Sequence, residues 1–386
     1  MSPRIMIVAG EASGDAHSAA LIEALRELSP DTEFEFFGAA GPKMRSAGVD
    51  AIVDSDDFAI VGLAEIARAL PMFWSAFTKL KQAAVVRKPD LVILVDFPEF
   101  NLKLAKTLKR QGFRVVYYIS PQLWAWRKYR VSAVRKYVDL MLTILPFEKE
   151  WYASNGVPQV EYVGNPLANE VHSSIGKEEF CKIHKLDSNR PVISLLPGSR
   201  QTEITRILPE MLAAAELIVN ERRDVQFVVA AASTKARNSI DPIIRNEVLK
   251  GRKIPETLIV VEKNTYEALN ASDAAAVTSG TATLETGIIG TPLVVVYKGS
   301  TLNYKLLRPL INVEHFGLIN LIAEKRIAKE LIQNDFTPEA LSAEIIRLLE
   351  PDVNSSVRGD LRSAVAKLGT GGASKKAAEA ILGFLS

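Results

Sequence analysis

Short, almost uninterrupted apolar runs alternate with segments of helical period along the whole chain. In the first half the runs are Ile5–Val8, Glu33–Phe37, Leu91–Val95, Arg114–Ile119, Leu140–Ile144 and Val160–Val163. In the second half they are Val192–Leu196, Gln226–Ala230, Leu258–Val261, Ala274–Thr278 and Leu293–Tyr297. A strand that is apolar at successive positions has both faces covered, which is the condition of a parallel strand between helical layers. The alternation therefore predicts an α/β architecture built on parallel sheets. The rhythm lapses over residues 165–190, NPLANEVHSSIGKEEFCKIHKLDSNR, and resumes with a fresh strand–loop–helix unit. We place a domain boundary in that stretch, with one domain over 1–168 and a second over 190–365. A short amphipathic helix, Ala373–Phe384, follows a Gly-rich break in the closing segment 366–386.

A length of 386 residues suits two domains, and 48% hydrophobic with 24% charged residues is the balance of a globular protein with a sizeable core. The single cysteine, Cys181, excludes an internal disulfide. His17, His172, His184 and His315 show no metal-ligand spacing, so no metal site is expected. The start of the chain lacks the pattern of a secretion signal, and no apolar stretch approaches the roughly 20 residues that span a bilayer. A cytoplasmic location is the expectation.

The net charge of +2 conceals a local imbalance. Between Asn101 and Val138 there is no acid, but there are ten bases: Lys103, Lys106, Lys109, Arg110, Arg114, Arg127, Lys128, Arg130, Arg135 and Lys136. Such a block reads either as solvated helix faces or as a surface for an anionic partner, a membrane or a phosphorylated ligand. We favour the anionic partner; no nucleic-acid motif accompanies the charge. Just upstream, residues 58–82 are too apolar for a surface helix and too broken to cross a membrane. Met72, Phe73, Trp74 and Phe77, followed by Lys79 and Lys81, suit an interfacial segment as well as they suit core packing.

Several loops carry candidate chemistry. PGSRQTEI, residues 197–204, joins an apolar strand to a long helix, and Gly198, Ser199 and Arg200 offer a phosphate both N–H groups and a planar cation. In SGTATLETG, residues 279–287, Ser279, Gly280, Thr281 and Thr283 offer donors at another helix start, and Glu285 can accept from a ribose diol. Two such loops at C-terminal strand ends predict a nucleotide site in the second half. Asp96 follows Leu91–Val95, and Pro98 forces a turn. A carboxylate there suits general-base work, or helix capping by Asp96 or Asn101. DSDD, residues 54–57, reads as a solvated turn. VAGEASGDAH, residues 8–17, has the frame of a phosphate loop, but Glu11 and Asp15 would repel a phosphate.

These stretches together resemble one family. GEASGD (10–15), VDFPEFN (95–101), YISPQLWAWR (118–127), LPFEKEWY (145–152), VGNPL (163–167), LLPGSR (195–200) and SGTATLE (279–285) occur in the order found in lipid-A-disaccharide synthases. The resemblance implies a GT-B fold, two Rossmann-like domains whose parallel sheets face a central cleft. It places the acceptor in the first domain and UDP in the second, with the C-terminal helix packing back on the first. It implies an inverting, metal-independent transfer from UDP-2,3-diacylglucosamine to 2,3-diacylglucosamine 1-phosphate, with no cofactor, by an enzyme peripheral on the inner membrane of Gram-negative bacteria. Asp96 and Arg200 are the matching catalytic positions. Gly198, Ser199, Ser279, Gly280, Thr281, Glu285, Asn320 and Gln333 would hold the nucleotide. Glu11, Ser13, Asp15 and Asn101 would then face acceptor hydroxyls. A UDP-sugar 2-epimerase and a non-catalytic UDP-sugar-binding protein share the two-domain form and stay open as alternatives. Nothing in the chain marks an oligomeric state.

Overall fold

The computed structural model describes residues 2–55, 66–300, 314–369 and 371–385. They form two compact units, Met1–Pro166 with Thr370–Ser386, and Leu167–Gly369. The first is built on a seven-stranded sheet in the order β3-β2-β1-β4-β5-β6-β7. Its strands are β1 (Arg4–Ala9), β2 (Glu35–Ala40), β3 (Asp50–Asp54), β4 (Leu91–Val95), β5 (Val115–Tyr118), β6 (Leu140–Thr143) and β7 (Val160–Tyr162). The second unit has a six-stranded sheet in the order β10-β9-β8-β11-β12-β13. These are β8 (Val192–Leu196), β9 (Gln226–Ala231), β10 (Leu258–Glu262), β11 (Ala274–Thr278), β12 (Leu293–Tyr297) and β13 (Lys329–Ile332). All the pairings are parallel.

Eleven of these strands coincide with the apolar runs, Leu91–Val95 and Val192–Leu196 to the residue. The other two, β3 and β13, each lie at one edge of a sheet. Their sequences, DAIVD and KELI, bury one residue apiece, Val53 and Leu331, and hold only short apolar stretches bounded by charged or polar residues. The DSDD stretch therefore begins as a strand end. Asp54 closes β3 and pairs with Arg45 at 2.7 Å, while residues 56 and 57 lie outside the described ones.

Strand order fixes where the chemistry can sit. Each sheet reverses its winding once, between β1 and β4 in the first and between β8 and β11 in the second. At such a point the loops leaving two adjacent strands diverge to opposite faces and open a crevice beyond the carboxyl ends. Ala9 pairs with Val95, so GEASGD and DFPEFN leave side by side. Leu196 pairs with Val277, so PGSR and SGTATLE do the same.

The closing helix, Ala373–Leu385, packs on the helix Ala12–Leu28 of the first unit and buries Ala377, Ala378 and Ile381 in that unit's core. Arg114, from the basic block, stacks its guanidinium 4.2 Å from the Phe384 ring centroid and donates to the Phe384 carbonyl.

The helix Ile66–Arg87 corrects part of the interfacial expectation. Met72, Phe73 and Phe77 pack against the core, and Phe73 and Phe77 both meet Phe100. Of the four interface candidates only Trp74, at 74% exposure, faces outward. Sequence alone could not assign the two sides, because the inward face is aromatic as well. The first part of this stretch, residues 58–65, lies outside the described residues. No helix among the described residues is long and apolar enough to cross a membrane.

Candidate active site

In the first unit the site forms around Asp96. β4 is wholly buried and leads into Asp96 and Phe97, two successive residues in the left-handed region with φ of 45° and 49°. The Phe97 ring lies over Gly10, where any Cβ would come within 2.3 Å of it. A side chain at position 10 would thus push the two loops apart. Burial, reinforced by the nearby Glu11 carboxylate, pushes the Asp96 carboxyl up to about 6; the Phe97 amide and His17 pull the other way. A carboxylate with that proton affinity can accept a proton near neutral pH and give it up again.

Glu11 is exposed and precedes the helix Ala12–Leu28, making no side-chain cap bond. With Ser13, also exposed, it stays available to a ligand. Asp15 does not. It is 3% exposed, and its two oxygens accept from the amides of Gly41, Lys43 and Met44 at 2.9, 2.9 and 3.0 Å. The expectation of a sugar contact gives way to a strut that caps the short helix Pro42–Ser46 from across the fold. Asp15→Ala should lower stability by about 3 kcal/mol, because three amides, two of them buried, lose a charged acceptor; a urea midpoint measures it. Asn101 is likewise corrected. It is fully buried, and its amide donates to the carbonyls of Val95 and Asp96 at 3.1 and 2.8 Å, so it shapes the β4 turn instead of meeting the acceptor.

In the second unit a cavity of about 610 Å³ is lined by both predicted loops. Gly198, Ser199 and Arg200 form one wall, Ser279, Gly280 and Thr281 another, and Glu285 closes one side. The helices Gln201–Glu221 and Thr281–Ile289 both begin here, so their unpaired first-turn N–H groups face the same space. Gly280 has φ of 145°, and nothing lies within 4 Å of where its Cβ would be. A ligand can therefore approach the backbone closely at that point. The Arg200 side chain is 81% exposed and, among the described residues, pairs only with Glu203 at 3.6 Å, which leaves its guanidinium able to turn to an anion. Glu285 accepts from Tyr266 Oη at 3.2 Å, and burial raises its pKa.

Other predicted nucleotide contacts are used up internally. The Ser279 hydroxyl donates to the Phe316 carbonyl at 2.8 Å and its amide to the Val296 carbonyl at 2.9 Å, so both donors at this position are already engaged. Thr283 is fully buried and donates to the Gly280 carbonyl. Asn320 is also fully buried: its amide donates to Ala328 O and Glu330, and its oxygen accepts from the amides of Ile327 and Ala328. Its hydrogen-bonding positions pin the turn before β13, which replaces the expected nucleotide contact. Gln333 lies just past β13 in a left-handed conformation, beside Gly299 and not among the cavity-lining residues. The cavity also recruits Glu203, Lys263, Thr265 and Tyr266, which sequence reasoning passed over. The last three follow β10, a C-terminal strand end like the others, but KNTY lacks the glycine that drew attention to PGSR and SGTATLE.

Two parallel-sheet units, each with candidate chemistry at its switch point, make up the GT-B fold of nucleotide-sugar enzymes. Solved structures of that fold align over the whole chain. A putative UDP-N-acetylglucosamine 2-epimerase from Listeria monocytogenes matches with a TM-score of 0.65 and 17% identity, covering 100% of this chain and 97% of that one. CalG4, the calicheamicin glycosyltransferase, matches with a TM-score of 0.59 and 14% identity, covering 100% and 98%. At such identities the likeness is one of fold, and fold alone does not separate a transferase from an epimerase. Sequence does. The family model for lipid-A-disaccharide synthetase matches residues 5–383. The lipid-A-disaccharide synthase of Trichlorobacter lovleyi is 42% identical over 383 residues, covering 99% of this chain and 97% of that protein. The chain belongs to the lipid-A-disaccharide synthetase family, and is a glycosyltransferase of lipid A biosynthesis.

Proposed function

We propose that this enzyme transfers the sugar of UDP-2,3-diacylglucosamine, with inversion, to the 6-hydroxyl of 2,3-diacylglucosamine 1-phosphate. The products are a β-1,6-linked lipid A disaccharide 1-phosphate and UDP. Asp96 takes the hydroxyl proton as the oxygen forms its bond to the anomeric carbon. The bond from that carbon to the UDP oxygen breaks, and its electron pair leaves with UDP. Arg200 and the N–H groups at the starts of Gln201–Glu221 and Thr281–Ile289 offset the charge that grows on the departing diphosphate. Glu11 and Ser13 orient acceptor hydroxyls. The observation that carries this reading is Asp96 itself, a carboxylate tuned to about 6 at the switch point of the first sheet. The epimerase alternative is not favoured, because relatives at about 40% identity over their full length are named synthases. Incubation with both diacylated sugars should release UDP and disaccharide in equal amounts. Epimerised sugar, or UDP-sugar binding without product, would overturn the proposal.

The acylated substrates are the reason to expect work at a bilayer. Trp74, Trp126 and Tyr129 are exposed on the first unit at 74%, 43% and 73%. The helix bearing Trp74 packs on Pro98–Lys109 through Phe100, and Glu99 of that second helix pairs with Arg127 and Arg130. Exposed Lys103, Lys106 and Lys128 lie on the same segments. We read this face as docking on an anionic membrane, peripherally and from the cytoplasmic side. Binding to anionic vesicles should weaken as salt rises from 0.05 to roughly 0.5 M, leaving a residual apolar component. Co-sedimentation that is absent or unaffected by salt contradicts it.

A further inference from the structure

The turn that presents Asp96 is held from outside its own loop. Asp96 and Phe97 are both left-handed, a conformation disfavoured for residues other than glycine and maintained only where the surroundings over-determine it. The Asp96 carbonyl accepts two hydrogen bonds, from Tyr117 Oη at 2.6 Å and from Asn101 Nδ2 at 2.8 Å. The Asp96 amide donates to the Tyr118 carbonyl at 3.0 Å. Phe97 is fixed in turn by its contact with Gly10 and by stacking on Phe100, ring centroids 5.6 Å apart. Among the described residues Asn101 Oδ1 has no hydrogen-bond partner, so this buried side chain binds through its NH2 group to the two carbonyls of the turn. A buried acceptor without a partner is costly, so the two bonds made by the amide must offset it.

Tyr117 is the least expected member of this set. It lies in the middle of β5 with both neighbours apolar or aromatic, and it is fully buried. Phenylalanine would fill the same core volume. Among the described residues the Tyr117 hydroxyl makes one hydrogen bond, to the Asp96 carbonyl. Burial, with the negative Asp96 nearby, pushes that hydroxyl well above the ordinary phenol range, so it remains a donor at any working pH.

We propose that Tyr117 is a positioning residue for sugar transfer: its hydroxyl, together with the Asn101 amide, clamps the Asp96 carbonyl and so aims the Asp96 carboxylate at the acceptor hydroxyl. The proposal rests on the reading of Asp96 as the base. It acts through the backbone. Without the clamp the two left-handed residues relax, the carboxylate leaves its buried position beside Glu11, and both its aim and its proton affinity change. The charged and titratable groups around Asp96 are Glu11 and His17 from the segment after β1. Around Tyr117 they are Asp96, Tyr152, Arg130 and Glu99. All of these remain in a Tyr117→Phe variant, so any change in titration reports the lost hydroxyl.

The test compares Tyr117→Phe with the native full-length enzyme in kcat, donor KM, pH profile and urea midpoint. A misaimed base should cost about tenfold or more in kcat. Donor KM should stay within about twofold, since the nucleotide cavity is untouched. The acid limb of the kcat profile should move from about 6 toward the ordinary carboxylate range. A variant that is merely less stable, with native kcat and an unmoved acid limb, overturns the proposal. So does a chain that fails to fold, because a local role leaves the core intact. Asp96→Asn is assayed in parallel to separate the two ideas. If it keeps its turnover, the base assignment is wrong; if it is inactive while Tyr117→Phe behaves as native, only the clamp is wrong.

Discussion

Replacing Asp96 by asparagine should cut turnover by about 10²–10⁴-fold, the usual worth of a general base, while making the protein more stable above pH 6. The two effects share a cause. The folded protein holds the Asp96 carboxyl at about 6 against an ordinary 3.8, chiefly through burial and then through Glu11. A raised carboxyl pKa means that the folded state binds the proton more tightly than the unfolded chain does. The associated stability is complete below about pH 4 and is lost as pH rises to about 6. Above that the ionised side chain is a liability of up to about 3 kcal/mol, at about 1.4 kcal/mol per pH unit, and partial exposure lowers this to about 1–2. Asparagine removes that liability, although its own amide must still be accommodated. Native turnover should fall below pH 6 as the base becomes protonated. Loss of activity with raised stability is the pattern of a strained functional group, whereas loss of both would mark Asp96 as a structural cap.

Arg200→Ala should lower kcat by about 10²–10³-fold, comparable to removing one preorganised donor from a developing anion. Here stability should not change by more than about 0.5 kcal/mol, because the side chain is exposed and its pairing with Glu203 is loose. The guanidinium stands at the start of Gln201–Glu221, beside N–H groups that already face the cavity, so its loss should leave UDP bound more weakly but still bound. Arg200→Lys should recover only part of the rate, since an ammonium supplies charge without the planar fork that grips two phosphate oxygens. Steady-state kinetics with UDP titration checks both variants. Undiminished turnover in the alanine variant removes Arg200 from the reaction.

Much of the fold could be read from the chain because parallel strands buried on both faces need continuous apolar runs. β3 and β13 escaped because their apolar stretches, residues 51–53 and 331–332, are short and bounded by charged or polar residues. Site positions were legible at the level of loops. The four motifs GEASGD, DFPEFN, PGSR and SGTATLE do stand at the two switch points. Within them, residue type showed what a side chain can do but not which partner already holds it. Asp15, Asn101, Ser279 and Asn320 all have the polar atoms a sugar or nucleotide needs, and each binds at least one backbone group with them. Glu11, one turn before Asp15 at the same helix start, is exposed. The difference depends on where Gly41 and Met44 lie, which is a matter of tertiary structure. Tyr117 was hidden for the opposite reason, its hydroxyl lost in an apolar strand.

The central claim is a division of labour, with the nucleotide held by the second unit and the proton taken by the first. Calorimetric titration of UDP into Asp96→Asn tests it most directly. UDP affinity within about twofold of native, in a protein that forms no disaccharide, is the predicted result. UDP affinity that collapses along with turnover would contradict it, because Asp96 would then act by binding the nucleotide and not as the base.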